Sequence, residues 1–261
     1  MIVANLATYP PRASFLPRVV KAIAPQVDRL NVVLNRYETV PHFLKETRNV
    51  VPILPEHDTM ATGKFYPDSS DADYVFFVDD DVLYPEDFVS KSVADFEALG
   101  LDRAVAGHHC SIFQRPPFSL TPRGARTFLR FHLRPSRIAS YRRIIGFGDT
   151  VPEPVFVEQV ATNAAVIRGS DMPPYEYMRT AIKFVDIRLA RWCFEQGITP
   201  VCLPHQGNWL LHSEAVGVSF DETIVKSFLA KHPPHVAREI WQYAFKRRNL
   251  GAPVPLAPSA A

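Results

Sequence analysis

The stretch Asp73-Tyr-Val-Phe-Phe-Val-Asp-Asp-Asp-Val-Leu-Tyr-Pro85 decides how this chain is read. Tyr74 to Val78 is an unbroken run of β-branched and aromatic residues with polar neighbours on both sides. Such a run reads as a buried strand of a mostly parallel sheet. It ends in three carboxylates, Asp79, Asp80 and Asp81, and Pro85-Glu86 opens a predicted helix. Acids crowded at the end of a buried strand repel one another and lose hydration, so a cation must compensate them. Hard oxygen ligands suit Mg²⁺ or Mn²⁺, and ligands of open α/β sheets bind at the carboxyl ends of strands. The blander reading has one Asp capping the next helix and the others in water. Buried strand, acid triplet and following proline together favour the metal.

Upstream, Ile2 to Leu6 is a short apolar run and the predicted first strand, stopped by Pro10-Pro11. Phe15, Leu16, Val19, Val20 and Ile23 have helical spacing within 13–23. Leu30–Leu34, ending at Asn35, and Val50–Leu54 are two further predicted strands. Strand, helix, strand and strand suggest βαβ construction. In His57 to Tyr66, Lys64 follows Gly63, where a backbone can approach a ligand and an ammonium can reach a phosphate. An exposed lysine is the default reading of that pair.

Downstream, a helix is predicted over Phe88–Leu99 and a strand over Arg103–Gly107, which ends in His108-His109-Cys110. Adjacent residues on an extended chain point to opposite sides, so these three cannot all grip one ion. Ala104 to Gly148 contains no Asp or Glu but eight arginines, interleaved with Phe113, Phe118, Phe128, Phe131 and Tyr141. A basic segment this free of acids suits phosphate, an anionic acceptor or peripheral contact with an anionic membrane. No nucleic-acid-binding motif accompanies it, so no nucleic-acid partner is expected. A Pro-rich connection over 152–156 precedes a strand at Gln159–Ile167 and a helix at Phe184–Glu195. Asp186 lies near the start of that helix, where the dipole favours a negative charge. Thr199–Leu203 is the last predicted strand and leads to His205 and His212. Residues 221–249 read as two helices parted by Pro233-Pro234, and the Pro/Ala-rich end as a loose tail.

The 261 residues, 47% hydrophobic, suffice for a large α/β domain, and a net charge of +2 gives no bulk argument for a nucleic-acid partner. Three cysteines without paired spacing, Cys110, Cys193 and Cys202, suggest reduced thiols and a cytoplasmic location. No signal peptide is read at Met1, and no apolar run approaches the roughly 18 residues of a membrane span.

The order of strand then Ala7-Thr-Tyr9, strand then Asn35, and strand then Asp79-Asp-Asp81 resembles glycosyltransferases of the GT-A fold, close to family 2. Four segments narrow the resemblance to bacterial surface-polysaccharide enzymes: Asn35 to Pro41, Gly63-Lys-Phe65, Asp79 to Pro85, and Asp186 with Gly197 to Val201. The resemblance implies a mixed, mostly parallel, Rossmann-like sheet flanked by helices. It spans a domain over 1–212 with a basic insertion at 111–148, followed by a helical extension over 213–250 and a tail over 251–261. It also implies a nucleoside-diphosphate sugar donor, UDP-linked, with Mn²⁺ or Mg²⁺. Carried over, Ala7, Tyr9, Arg12, Asn35, Lys64, Asp79 and Asp80 form the donor site. Tyr9 stacks on the base, Asp79 meets ribose or metal, and Lys64 faces the phosphates. Asp81, Asp79 and His212 hold the metal, with His205 as the second histidine candidate. Asp186 is the general base. The chain departs from the family at Asn35, where many members have Asp, and at Val185, where the family has Glu.

The function so implied is inverting transfer of the sugar to a hydroxyl of a glycan or lipid-linked acceptor, in the cytoplasm or peripherally at the inner membrane. A nucleotidyltransferase or phosphohydrolase could also use an acid cluster after a strand. A non-catalytic partner in polysaccharide assembly would instead lock Asp186 to an arginine such as Arg188 or Arg191.

Overall fold

The computed structural model describes residues 1–117, 119–218 and 233–246. Its centre is an eight-stranded sheet. In chain order the members are β1 (Ile2–Thr8), β2 (Arg29–Leu34), β3 (Val50–Ile53), β4 (Tyr74–Val78), β6 (Ala104–Gly107), β9 (Val155–Phe156), β11 (Ala164–Ile167) and β12 (Thr199–Cys202). The spatial order is β3-β2-β1-β4-β11-β6-β12-β9. Neighbouring strands pair in parallel except where β11 meets β4 and β6 and where β9 meets β12. This is the mixed, mostly parallel, helix-flanked α/β architecture that the sequence implied.

Period-two alternation divides the core. Phe76 and Val78 of β4 join one cluster, with Phe15, Leu16 and Val19 and with Phe88 and Phe96. These belong to the N-terminal turn, α1 (Leu16–Ile23) and α3 (Phe88–Ala98). Val75 and Phe77 point to the other face, with Met178 of α5 (Tyr175–Met178) and Val185, Leu189 and Cys193 of α6 (Val185–Gln196). A short helix, α2 (His42–Glu46), precedes β3. Gly197, at φ 71°, ends α6 in the left-handed conformation that glycine adopts most cheaply.

The strand predicted over Gln159–Ile167 is two strands. β10 (Gln159–Val160) joins a small antiparallel sheet with β7 (Cys110–Phe113) and β8 (Arg142–Ile145), whereas β11 enters the large sheet. The residues between them, Ala161-Thr162-Asn163, make the change of sheet. Periodicity misses the break because both halves are apolar. The arginine-rich segment is ordered as β7, then α4 (Pro122–Leu133), a 3-10 turn and β8. Another short pairing joins β5 (Val82–Leu83) to β13 (Leu211–His212). The Pro-rich connection contains the edge strand β9.

The helix expected after Pro233 is present as α7 (Pro234–Tyr243), packed on α6 through the Arg188–Glu239 ion pair. The helix expected before it and the tail lie outside the described residues. Cys110, Cys193 and Cys202 are buried free thiols. Among the described residues no helix is long and apolar enough to cross a membrane.

Candidate active site

Gly63 shapes the floor of the site. A Cβ there would lie 2.6 Å from Thr59 Oγ1, 3.0 Å from Ala7 Cβ and 3.2 Å from a Val33 methyl. Only a residue without a side chain lets the 3-10 turn Met60–Phe65 press onto β1 and β2 in this way. Lys64 is thereby carried inward and is 3% exposed, which overturns the default reading of a surface lysine. Its ammonium pairs with Asp79 and donates to the carbonyl of Thr162 at 2.7 Å. Thr162 in turn donates to Asp186 Oδ1 from both its N–H and its hydroxyl, each at 2.8 Å. Thus Asp79, at the end of β4, and Asp186, in the first turn of α6, are joined through Lys64 and Thr162. Tyr84 braces the same corner: its hydroxyl donates to the Asn163 carbonyl at 2.6 Å and accepts from the Asp79 N–H at 2.8 Å.

Burial is the largest influence on Asp186 and raises its pKa; the Thr162 bonds and the Lys64 charge oppose the shift without cancelling it. A carboxylate so placed is a stronger base than one in water. The two arginines whose capture of Asp186 would have marked a structural role are engaged elsewhere, Arg188 with Glu239 and Arg191 with Glu195.

Arg12 compensates the other acids. Its guanidinium lies 2.5 Å from Asp80 and 3.0 Å from Asp81. Burial alone would lower the Arg12 pKa, but Asp80 and Asp81 more than reverse that effect. Asp80 is 2% exposed and so faces inward, toward Arg12. Fully ionised, the triplet would set three negative charges against the two cations Lys64 and Arg12, one in excess. Asp81 registers it: burial first, and then the charge of Asp79, push its carboxyl up to about 7.

His212 reaches the same place because β13 pairs with β5, setting His212 opposite Val82, while the Ser213 N–H donates to the Asp81 carbonyl at 2.8 Å. Its ring lies 4.8 Å from that of Phe147 and 6.4 Å from that of His109. His109 shares a 2.8 Å hydrogen bond with the Asn163 amide, and burial, His212 and Arg142 hold its pKa down to about 4. His108 points to the opposite side, against Ser92, Trp209 and His205, as neighbours on an extended chain must. His205, the second metal candidate, is buried there and bonded to the Leu203 carbonyl at 2.8 Å.

The chemistry of Asp79, Asp81 and His212, together with the uncompensated charge, fits a hard divalent cation. Asp79 faces Lys64 and Asp81 faces Arg12 instead, the His212 ring packs on Phe147, and no group of three or more such ligands among the described residues is arranged around a common point.

Toward the end of β2, Tyr9 carries the guanidinium of Arg36 at 5.2 Å from its ring centre and that of Arg12 at 5.6 Å. Asn35 is buried. Its Oδ1 accepts from the Thr59 N–H at 2.8 Å and the Thr59 hydroxyl at 2.6 Å, and its Nδ2 donates to the Met60 carbonyl at 3.1 Å. Its amide therefore fastens the loop that carries Lys64. The structure brings together all the expected site residues except His205. Sequence reasoning missed Thr162, Asn163 and Tyr84 and discounted His109.

No protein-family model matches the chain, and no curated protein does. Solved structures do. The chain is similar to residues 1–349 of S. aureus TarS, with TM-score 0.46 and 11% identity over 79% of this chain and 58% of that one. It is similar to glucosyl-3-phosphoglycerate synthase from Mycobacterium tuberculosis, solved with Mn²⁺, UDP-glucose and phosphoglyceric acid, with TM-score 0.43 and 15% identity over 75% and 65%. A mycobacterial protein gives TM-score 0.45 and 16% identity over 78% and 65%. The chain thus spans less than two thirds of each of these neighbours. Such identities and TM-scores attach no activity to it.

Proposed function

We propose that this chain is a metal-dependent, inverting glycosyltransferase that takes a sugar from a nucleoside-diphosphate donor, UDP-linked, to a hydroxyl of a glycan or lipid-linked acceptor. One observation carries the reading: a raised-pKa carboxylate, Asp186, is fixed beside the acid cluster through Thr162 and Lys64.

In this reading Asp186 takes the proton of the acceptor hydroxyl as that oxygen attacks the anomeric carbon, on the face opposite the departing diphosphate. The Thr162 bonds hold Asp186 in position, and desolvation keeps it basic. The Lys64 side chain bridges the donor-side acid Asp79 and the Thr162 carbonyl, next to the base. Arg12 steadies Asp80 and Asp81. Asp79, Asp81 and His212 would hold the divalent cation, which when bound offsets charge growing on the leaving diphosphate.

The deciding test is thermal unfolding with a panel of nucleoside diphosphates and nucleotide sugars, with Mn²⁺ and with chelator. A ligand at 100 times its Kd stabilises by about 2.7 kcal/mol. A Mn²⁺-dependent shift with UDP, and product formed from a UDP-sugar, is the expected result. No shift with any nucleotide overturns the proposal. Release of pyrophosphate or phosphate without sugar transfer moves it to nucleotidyl or phosphohydrolase chemistry.

A further inference from the structure

The helix α4 presents a face that nothing in the catalytic reading uses. Its start is locally specified: Pro122 occupies the first turn, and Thr121 caps it by accepting from the Gly124 N–H at 3.2 Å. Phe131 anchors it, buried against Tyr141, Trp241 and Phe245 at ring distances of 4.9, 5.6 and 5.7 Å. It is the helix's one buried residue. On the outer side Leu129 is 57% exposed and Leu133 69%, and Leu120, just before the helix, is 89% exposed. Successive residues turn by about 100°, so Leu129 and Leu133 form one outward stripe with Arg126, Arg130 and Arg123 directly beside it.

Three large leucines held in water beside three exposed arginines are a costly surface for a free protein. Because 104–148 contains no acid, no carboxylate within the segment neutralises them. Basic residues next to an apolar stripe fit the boundary of a bilayer, where leucines enter the acyl region and guanidiniums meet lipid phosphates. We infer that α4 is an interfacial docking helix that lays Leu120, Leu129 and Leu133 into an anionic bilayer surface, with Arg123, Arg126 and Arg130 on the headgroups. The charge complementarity is one-sided: a neutral surface satisfies the leucines but not the arginines. This inference does not depend on the glycosyl-transfer reading, because it concerns only where the protein sits.

The test is co-sedimentation of the full chain with vesicles of phosphatidylcholine alone and with about one third phosphatidylglycerol, in low and high salt. Binding to the anionic vesicles, weakened by salt and absent from neutral ones, is expected. Arg126→Ala with Arg130→Ala should lower the bound partition by roughly 30-fold. Leu129→Glu with Leu133→Glu should abolish it while leaving the unfolding temperature and any nucleotide-dependent shift unchanged, since both positions are exposed. Failure to bind anionic vesicles overturns the inference, whether an acidic protein or another segment of this chain covers the face instead. So does equal binding by the wild type and both double variants.

Discussion

Both hydrogen bonds from Thr162 to Asp186 end on the same carboxylate oxygen, Oδ1, one from the backbone N–H and one from the hydroxyl. They orient the carboxylate and leave Oδ2 outside the pair. Asp186→Asn is expected to lose transfer by about 10²–10⁴-fold while donor binding persists. Full activity in the folded variant would remove Asp186 from the role of base.

Thr162→Val tests the orientation separately. The Thr162 bonds oppose the rise in the Asp186 pKa, so losing the hydroxyl lets it rise further. The acidic limb of the kcat profile should move to higher pH, with a much smaller loss at the plateau than in Asp186→Asn. An unmoved limb would show that some other group controls it.

Lys64→Met leaves Asp79 and the Thr162 carbonyl without their cation. Removing one member of a buried pair costs about 3–5 kcal/mol, and because Asp79 is about a third exposed the expected loss is nearer 2 kcal/mol. Mn²⁺ should restore part of that stability if Asp79 is a metal ligand. Denaturant unfolding with and without the ion measures both effects, and a loss that Mn²⁺ leaves untouched would separate Asp79 from the metal.

Asp81 offers a pH test. Its carboxyl titrates at about 7 in the folded chain against an ordinary value near 3.8. The stability this contributes is full below the lower value and is lost as pH rises toward the upper one. Asp81→Asn should therefore raise the unfolding temperature of the metal-free protein at pH 8, by the few degrees expected for ~1 kcal/mol, while losing cation-dependent nucleotide binding. A lower unfolding temperature at pH 8 would mean that Arg12 already compensates Asp81 in full.

The buried histidines act with the opposite sign. Burial, reinforced by His205, holds the His108 pKa well down, and His109 is held to about 4. Both are neutral when folded, so the stability they contribute is present above about pH 6.5 and falls as acid protonates the unfolded chain. His108→Gln should make the decline in unfolding temperature between pH 6.5 and 5 shallower, leaving the shares due to His109 and to His212, which burial also holds down.

The sheet was legible because its strands are near-continuous apolar runs: β4 spans the residues expected, and β2, β3, β6 and β12 differ by a residue or so at their ends. The acids were legible from their place after a strand, whereas the burial of Lys64 was not: a lone Gly-Lys pair reads by default as a surface lysine. Thr162 was not, because a threonine in an apolar run looks like any strand residue until the run is seen to change sheets. The arginine segment concealed α4 and the strands β7 and β8, since sequence alone pairs no register across that gap.

β11 runs against β4, with Ala164 opposite Val78. Its first residues therefore abut the end of β4, and Thr162 arrives beside Asp79 from a part of the chain more than eighty positions away. Contacts so distant along a chain carry a loop-closure cost that slows folding. The bridge between the two carboxylates consequently cannot exist in a half-formed sheet. A chain emerging from synthesis therefore lacks that bridge until residues beyond Asp186 have joined the sheet and the helix behind it.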